Sequence, residues 1–350
     1  MKARFKKHTL IFKRPSGTSR GVMTEKETWL LILEENGKLG VGECGLLRGL
    51  SPDDLPGYRD KLAWTCDNIH RGLKELLPDL QEYPSIQFGL EQAFMSIISK
   101  DPFELFPSAF TQNKGAIPIN GLIWMGDEAF MLQQLEQKLK EGFHCIKMKI
   151  GAIDFDRELD ILGSIRQRFG TGDIEIRVDA NGAFDPQGAM EKLDRLSVLG
   201  LHSIEQPIRA GQWEDMARLC RDSPVPIALD EELIGLFSVT KKQELLLRIR
   251  PQYIILKPSL VGGFAGSGDW IDLAEKQQIG WWITSALESN IGLSAIAQWS
   301  YTLQNPMPQG LGTGSLYTNN FKSPLEVRAG ELLYSGSKAW EKNLIENLCI

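Results

Sequence analysis

The chain predicts an α/β protein, a parallel β/α barrel with a smaller α+β domain ahead of it. Three observations carry that prediction. Short apolar runs recur between residues 116 and 314, each followed by a helical pattern, the alternation expected of parallel strands joined by crossover helices. The runs show no amphipathic alternation, as suits strands covered on both faces. Five of them end in a charged residue at nearly equal intervals: Lys149, Asp179, Glu205, Asp230 and Lys257, separated by 30, 26, 25 and 27 residues, about the length of one strand-helix unit.

Taken in order, the first elements are antiparallel. β-branched and aromatic residues from Lys6 to Phe12 and from Thr28 to Leu33 precede an ENGK turn at 35–38, and GVGEC follows, which predicts hairpins. Helical spacing covers Leu55 to Leu76 and Ile86 to Ser99. A Pro-, Gly- and Asn-bearing stretch, 107–115, then separates residues 1–113 from the barrel, expected over 114–320. Eight candidate strands lie at 116–123, 145–150, 174–180, 203–207, 226–231, 253–258, 280–287 and 308–314. Eight favours closure, although the last, PQGLGTG, is poor in β-formers. Helices are expected at Glu128 to Lys140, Asp156 to Arg168, Pro186 to Leu199, Trp213 to Cys220, Gly263 to Gln278 and Ser289 to Tyr301. In the segment 321–350, LEVRAGELLYSG reads as strand-turn-strand packing back on the first domain.

A chain of 350 residues with 42% hydrophobic and 24% charged residues can bury a large core. Its net charge of −6 argues against a general nucleic-acid surface, which would be basic. No window approaches a membrane span, and the basic start MKARFKKHTLIFKR has no long apolar core. Five dispersed cysteines without CxxC spacing suit reduced thiols, so a cytoplasmic location is expected. His8, His70, His144 and His202 fall in no ligand-like spacing. Trp281 and Trp282 open the seventh strand at the end away from the site and read as packing, and GSGD at 266–269 reads as turn chemistry.

Barrels of this type carry their active sites at the C-terminal ends of the strands, where all five charges fall. Strand parity points Lys147 with Lys149 and Arg177 with Asp179. Three convergent carboxylates about 4 Å apart would repel by roughly 4 kcal/mol per pair at an effective dielectric near 20. An oxygen-only set without clustered His or Cys suits a hard divalent ion, Mg²⁺ or Mn²⁺. A lysine beside such an ion and a second lysine has its ammonium form disfavoured and becomes a base. Abstraction of a proton α to a carboxylate, with the enediolate stabilised by metal and a cationic lysine, forms one mechanism on a small-molecule carboxylate substrate.

The set KMK, DAN, EQP, LDE and KPS, in this order and register, resembles the enolase superfamily, in its muconate-lactonising-enzyme-like subgroup with a lysine on each side. RVDANGAF, KPSLVGG, SALESNIGL and GLGTGSLYTNNF resemble the o-succinylbenzoate synthase family of that subgroup. The resemblance implies a modified TIM barrel with an α+β N-terminal capping domain. It implies a hydro-lyase of menaquinone biosynthesis that dehydrates 2-succinyl-6-hydroxy-2,4-cyclohexadiene-1-carboxylate. Lys149 would then abstract the α-proton and return it to the departing hydroxide. Lys257 would stabilise the enediolate by its charge against the ring face. Asp179, Glu205 and Asp230 would hold Mg²⁺.

Lys147, Arg177 and Asn181 are the auxiliary candidates: Lys147 through pairing with an acid, Arg177 by orienting its neighbours or by a plain salt bridge. Ser285 and Gly312, at the ends of the seventh and eighth strands, are candidates for the succinyl arm. Arg20 and Gly21, with the 45–50 loop GLLRGL, are expected to close over the substrate. Taken singly, a strand-end acid reads as a helix cap or a solvated loop residue. Five in register do not. Two other readings use the same residues: an N-acylamino acid racemase or dipeptide epimerase with both lysines as bases, and a ligand-binding barrel without turnover.

Overall fold

The computed structural model describes residues 1–18, 21–124, 127–151 and 153–349. The N-terminal sheet is an antiparallel meander of β1 (Lys2–Thr18), β2 (Gly21–Glu35) and β3 (Lys38–Cys44). Asn36 and Gly37, both at positive φ, make the tight turn between β2 and β3, the backbone twist that two-residue hairpins require. Period-two alternation splits β2 between two cores. Leu31 and Leu33 pack with Tyr58, Leu62, Ile86 and Leu90 of the cap helices, whereas Leu30 and Ile32 pack with Leu344, Ile345 and Leu348 of the C-terminal helix. Glycine lets the helix Pro84–Ile98 lie directly on β3. A Cβ on Gly42 would collide with the Gly89 carbonyl, and one on Gly40 would come within 2.6 Å of Ile97 N.

The second sheet is parallel and curled, in the order β11-β10-β9-β8-β7-β6-β5. In chain order after β4 (Ala116–Pro118), its strands are β5 (Gly121–Ile123), β6 (Cys145–Lys149), β7 (Glu175–Asp179), β8 (Ser203–Glu205), β9 (Ile227–Leu229), β10 (Tyr253–Leu256) and β11 (Gly280–Ile283). No eighth strand forms among the described residues; Gln309 and Gly310 fill the seam with single bridges to Ile119 and Thr284. The glycine- and proline-rich run there lacks the side chains that favour a full strand. The expected strand at 116–123 divides, because β4 leaves the barrel sheet to pair with β13 (Glu331–Tyr334), which in turn pairs with β12 (Leu325–Arg328). That hairpin therefore joins β4, and the helix Leu344–Leu348 beyond it reaches the cap sheet.

Helices follow the strands where expected, for example Glu128–Lys140, Phe155–Arg168, Trp213–Asp222 and Gly263–Lys276. One more, Val239–Ile249, is capped by Ser238 and buries Leu245, Leu246 and Ile249. The strands do alternate. Their outward residues, Ile146, Met148, Ile176, Val178, Ile204, Leu229, Ile254 and Leu256, form the core against the helices. Their inward residues are largely polar, so the barrel interior can carry charge. All five cysteines are free. No described helix is long and apolar enough to cross a membrane.

Candidate active site

Register alone places the principal side chains. Lys149 pairs with Asp179, Asp179 with Glu205, and Glu205 with Ala228, so Asp230, two residues on, faces the same interior. Tyr253 pairs with Ala228, which puts Lys257 on that side too. All five lie at or just past the C-terminal ends of adjacent strands. Asp179, Glu205 and Asp230 are 1%, 3% and 2% exposed, an enclosure that charged groups tolerate only when paired.

The pairing is with lysines. Lys147 Nζ bonds Glu205 and lies 2.9 Å from Asp179 Oδ2. Lys149 Nζ donates to Asp179 Oδ2 at 3.1 Å and to Asn181 Oδ1 at 2.6 Å, and Lys257 Nζ bonds Asp230. Burial alone would push the Lys147 ammonium down, but Asp179, Glu205 and Asp230 together hold it above the ordinary lysine range. Lys257 is raised likewise: Asp230, then Glu231 and Glu205, outweigh its desolvation. Asp179 is held far below the usual range; burial opposes this, and Lys147 and Lys149 overcome it. Glu205 goes the other way, pushed well up by burial and further by Asp179 and Asp230.

Above these groups opens a cavity of about 980 Å³, lined by Lys147, Lys149, Asp179, Asn181, Lys257, Ser285 and Gly312 among others. Arg14, Arg48 and Leu50 line its cap side. Arg20 lies outside the described residues. Ser285 Oγ shares a hydrogen bond of 2.6 Å with Thr313 Oγ1. Arg177 is not brought to the site. Its guanidinium lies 4.2 Å from the centre of the Trp282 ring, pairs with Glu175 at 2.7 Å and donates to Pro308 O, so it belongs to the barrel interior away from the strand ends.

Comparison with known proteins settles the lineage. Residues 131–336 match the family described as enolase C-terminal domain-like. The o-succinylbenzoate synthase of Desulfotalea psychrophila is 49% identical, the alignment covering 95% of this chain and 98% of that one. The crystal structure of MenC from the same organism superposes with a TM-score of 0.85 at 45% identity, covering 95% of this chain and 99% of that one. The chain belongs to the enolase superfamily, in its o-succinylbenzoate synthase family. An N-succinylamino acid racemase of an Amycolatopsis species is also similar, 31% identical over 80% of this chain and 77% of that one.

In this superfamily member the donor set can be tested against a divalent ion. Among the described residues no three acidic, histidine or cysteine side chains gather round one point as a ready coordination sphere, because Lys147 bridges two of the carboxylates and Lys257 holds the third. The set nevertheless fits. It is all oxygen, Glu205 Oε1 is buried with no hydrogen-bond partner, and the repulsion from Asp179 and Asp230 that adds to burial in raising Glu205 is what a hard cation relieves.

Several contributors were not evident in the sequence. Gln206, fully buried at φ +40°, accepts from the backbone N–H groups of Asp230 and Glu232 and donates to Glu232 Oε2, locking the ends of β8 and β9 together. The EQP motif contains it, but only the left-handed backbone reveals the role. Asn120 and Thr313 also line the cavity. Trp282 does too, whereas the tryptophan pair reads from sequence as packing away from the site. The pleat separates it from Trp281, which packs with the outer core.

Proposed function

We propose that this chain dehydrates 2-succinyl-6-hydroxy-2,4-cyclohexadiene-1-carboxylate to o-succinylbenzoate. The observation that carries the reading is the array of Lys149, Asp179, Glu205, Asp230 and Lys257 along consecutive strand ends, in a chain 49% identical to an o-succinylbenzoate synthase. Asp179, Glu205 and Asp230 would hold Mg²⁺, with Mn²⁺ the alternative of the same class. When bound there, such an ion stabilises negative charge developing on a substrate carboxylate. Lys149, beside Asn181 and open to the cavity, removes the α-proton and returns it to the departing hydroxide. Lys257 stabilises the enediolate by its positive charge. Ser285 and Gly312 face the succinyl arm, and the cap loop at 45–50 excludes water. The five free thiols suit a cytoplasmic setting.

Purified protein with Mg²⁺ should give the ultraviolet signature of an aromatic product, and Lys149→Ala should abolish turnover while calorimetric Mg²⁺ binding persists. No aromatisation by the wild type would sink the proposal. A second reading, racemisation of N-succinylamino acids, draws on the Amycolatopsis relative and needs both lysines as bases. It predicts exchange of the α-proton for deuterium in such substrates without loss of water.

A further inference from the structure

A second group of charges lies where the cap meets the barrel, and the chemistry above leaves it unused. Lys26 of β2, Glu43 of β3 and Glu288 in the loop after β11 are 3%, 0% and 0% exposed. Glu43 is saturated: it accepts from Thr28 Oγ1, from the backbone N–H and hydroxyl of Ser289, and from Gly292 N. It thereby caps the barrel helix Asn290–Thr302 from the cap sheet. Glu288 Oε1 accepts from Ser259 Oγ at 2.5 Å and its Oε2 from Ala286 N at 2.8 Å. Ser259 is two residues beyond Lys257, and Ala286 adjoins Ser285. Gly45, at the start of the cap loop, packs on the same carboxylate side chain. A Cβ there would come within 3.0 Å of Glu288 Cγ and of Ser259 Cβ.

One side chain therefore ties together three segments that line the cavity. Its counter-charge is unusual. Lys26 Nζ is buried in the same region without a hydrogen-bond partner; burial pushes its ammonium down, and the carboxylates of Glu43 and Glu288 oppose that only in part. One buried cation thus offsets part of the charge of two carboxylates without an ion-pair contact to either. Loss of Lys26 would leave both carboxylates with their hydrogen bonds but without that offsetting charge in a region closed to water, where uncompensated charge is costly.

We infer that Glu288 is a positioning residue that fixes the Lys257 turn and the Ser285–Leu287 loop against the cap, with the buried Lys26 offsetting part of its charge. The inference rests on the reading of Lys257 and Ser285 given above. Catalytic groups displaced by an ångström lose large factors in rate, so the tether acts on kcat more than on metal binding.

The test uses the full chain with Mg²⁺ and four variants: Glu288→Ala, Glu288→Gln, Lys26→Met and the double variant Lys26→Met/Glu288→Gln. Glu288→Ala should lower kcat roughly 100-fold with Mg²⁺ affinity unchanged by calorimetry. Glu288→Gln, whose amide can accept from Ala286 N and donate to Ser259 Oγ, should recover most of that loss. Lys26→Met should lower kcat about tenfold, and adding Glu288→Gln should restore part of it together with the melting temperature, because it removes one of the two uncompensated charges. A Glu288→Ala variant that melts lower but keeps kcat would overturn the positioning role. A double variant no better than Lys26→Met would overturn the charge offset. If Glu288→Ala fails to fold, the Lys26–Glu288 cycle still decides. If the wild type forms no aromatic product, the proposed function fails instead, and the same cycle read in melting temperature alone upholds or overturns the charge offset.

Discussion

Glu91 should make the stability of this protein depend on pH in an unusual direction. It sits on the cap helix Pro84–Ile98 and reaches across to the barrel, where its carboxyl accepts from the backbone N–H groups of Phe264 and Ala265 at the start of the helix Gly263–Lys276. Burial pushes the group up to about 7, against a partial lowering by those two bonds. The folded state therefore binds the proton more tightly than the unfolded chain, whose glutamates titrate near 4.5. Below that pH both states are protonated and no penalty arises. Between about 4.5 and about 7 the unfolded chain ionises while the folded state keeps its proton, so stability falls across that window and levels off once the buried carboxyl ionises. The difference of about 2.5 between the two values corresponds to roughly 3 kcal/mol, complete by pH 8. Urea unfolding of wild type and Glu91→Gln from pH 4 to pH 8 isolates the group from all others that titrate. The two should be similar near pH 4, with the variant more stable by about 3 kcal/mol at pH 8. A gap that stays constant with pH, or that favours the wild type at pH 8, would refute the reasoning.

Two further outcomes follow from packing and charge. Gly42→Ala, whose new methyl group meets the Gly89 carbonyl, should separate β3 from the cap helix and cost at least about 2 kcal/mol in chemical denaturation, while Gly37→Ala, with nothing near its added carbon, should show only the smaller cost of its positive φ. Lys147→Met removes the ammonium shared by Asp179 and Glu205 and should lower stability without Mg²⁺ by about 3–5 kcal/mol. Added Mg²⁺ should then raise the melting temperature of the variant by more than it raises that of the wild type, and an equal rise in both would argue against those carboxylates as the metal site.

The five strand-end charges were legible because two local rules act on them together: a parallel strand of fixed repeat ends near each, and the pleat orients it. Even the three-residue strand Ser203–Glu205 obeys both. The outward and inward faces were harder to separate, since an inward alanine or tryptophan such as Ala228 or Trp282 reads the same as an outward isoleucine. The missing eighth strand has a local signature in PQGLGTG, but its replacement by bridges from Gln309 and Gly310 depends on both edges of the sheet being in place. Docking was least visible. Ser289 N and Glu43 Oε1 meet across 246 residues of sequence, and no periodicity within either segment announces that contact. The tether from Glu288 to Ser259, across 29 residues, is hidden for the same reason.

The structure also bears on which lysine of β6 handles the proton. Parity puts Lys147 and Lys149 on one face, and both line the cavity, so spacing alone does not choose. Their partners differ. Lys147 is held between two carboxylates, Asp179 and Glu205, and these keep it protonated against its own desolvation. The nearer partner of Lys149 is the neutral amide oxygen of Asn181, at 2.6 Å against 3.1 Å for Asp179. Asn181 is itself fixed: its backbone N–H donates to Asp179 Oδ1, its side chain donates to Glu231, and its φ of +44° aims it back over the end of β7. A lysine bonded to two carboxylates is held in place by both, whereas one whose shorter bond is to a neutral amide can be turned toward substrate. This supports Lys149 as the residue that moves the proton and Lys147 as the charge that keeps Asp179 and Glu205 together.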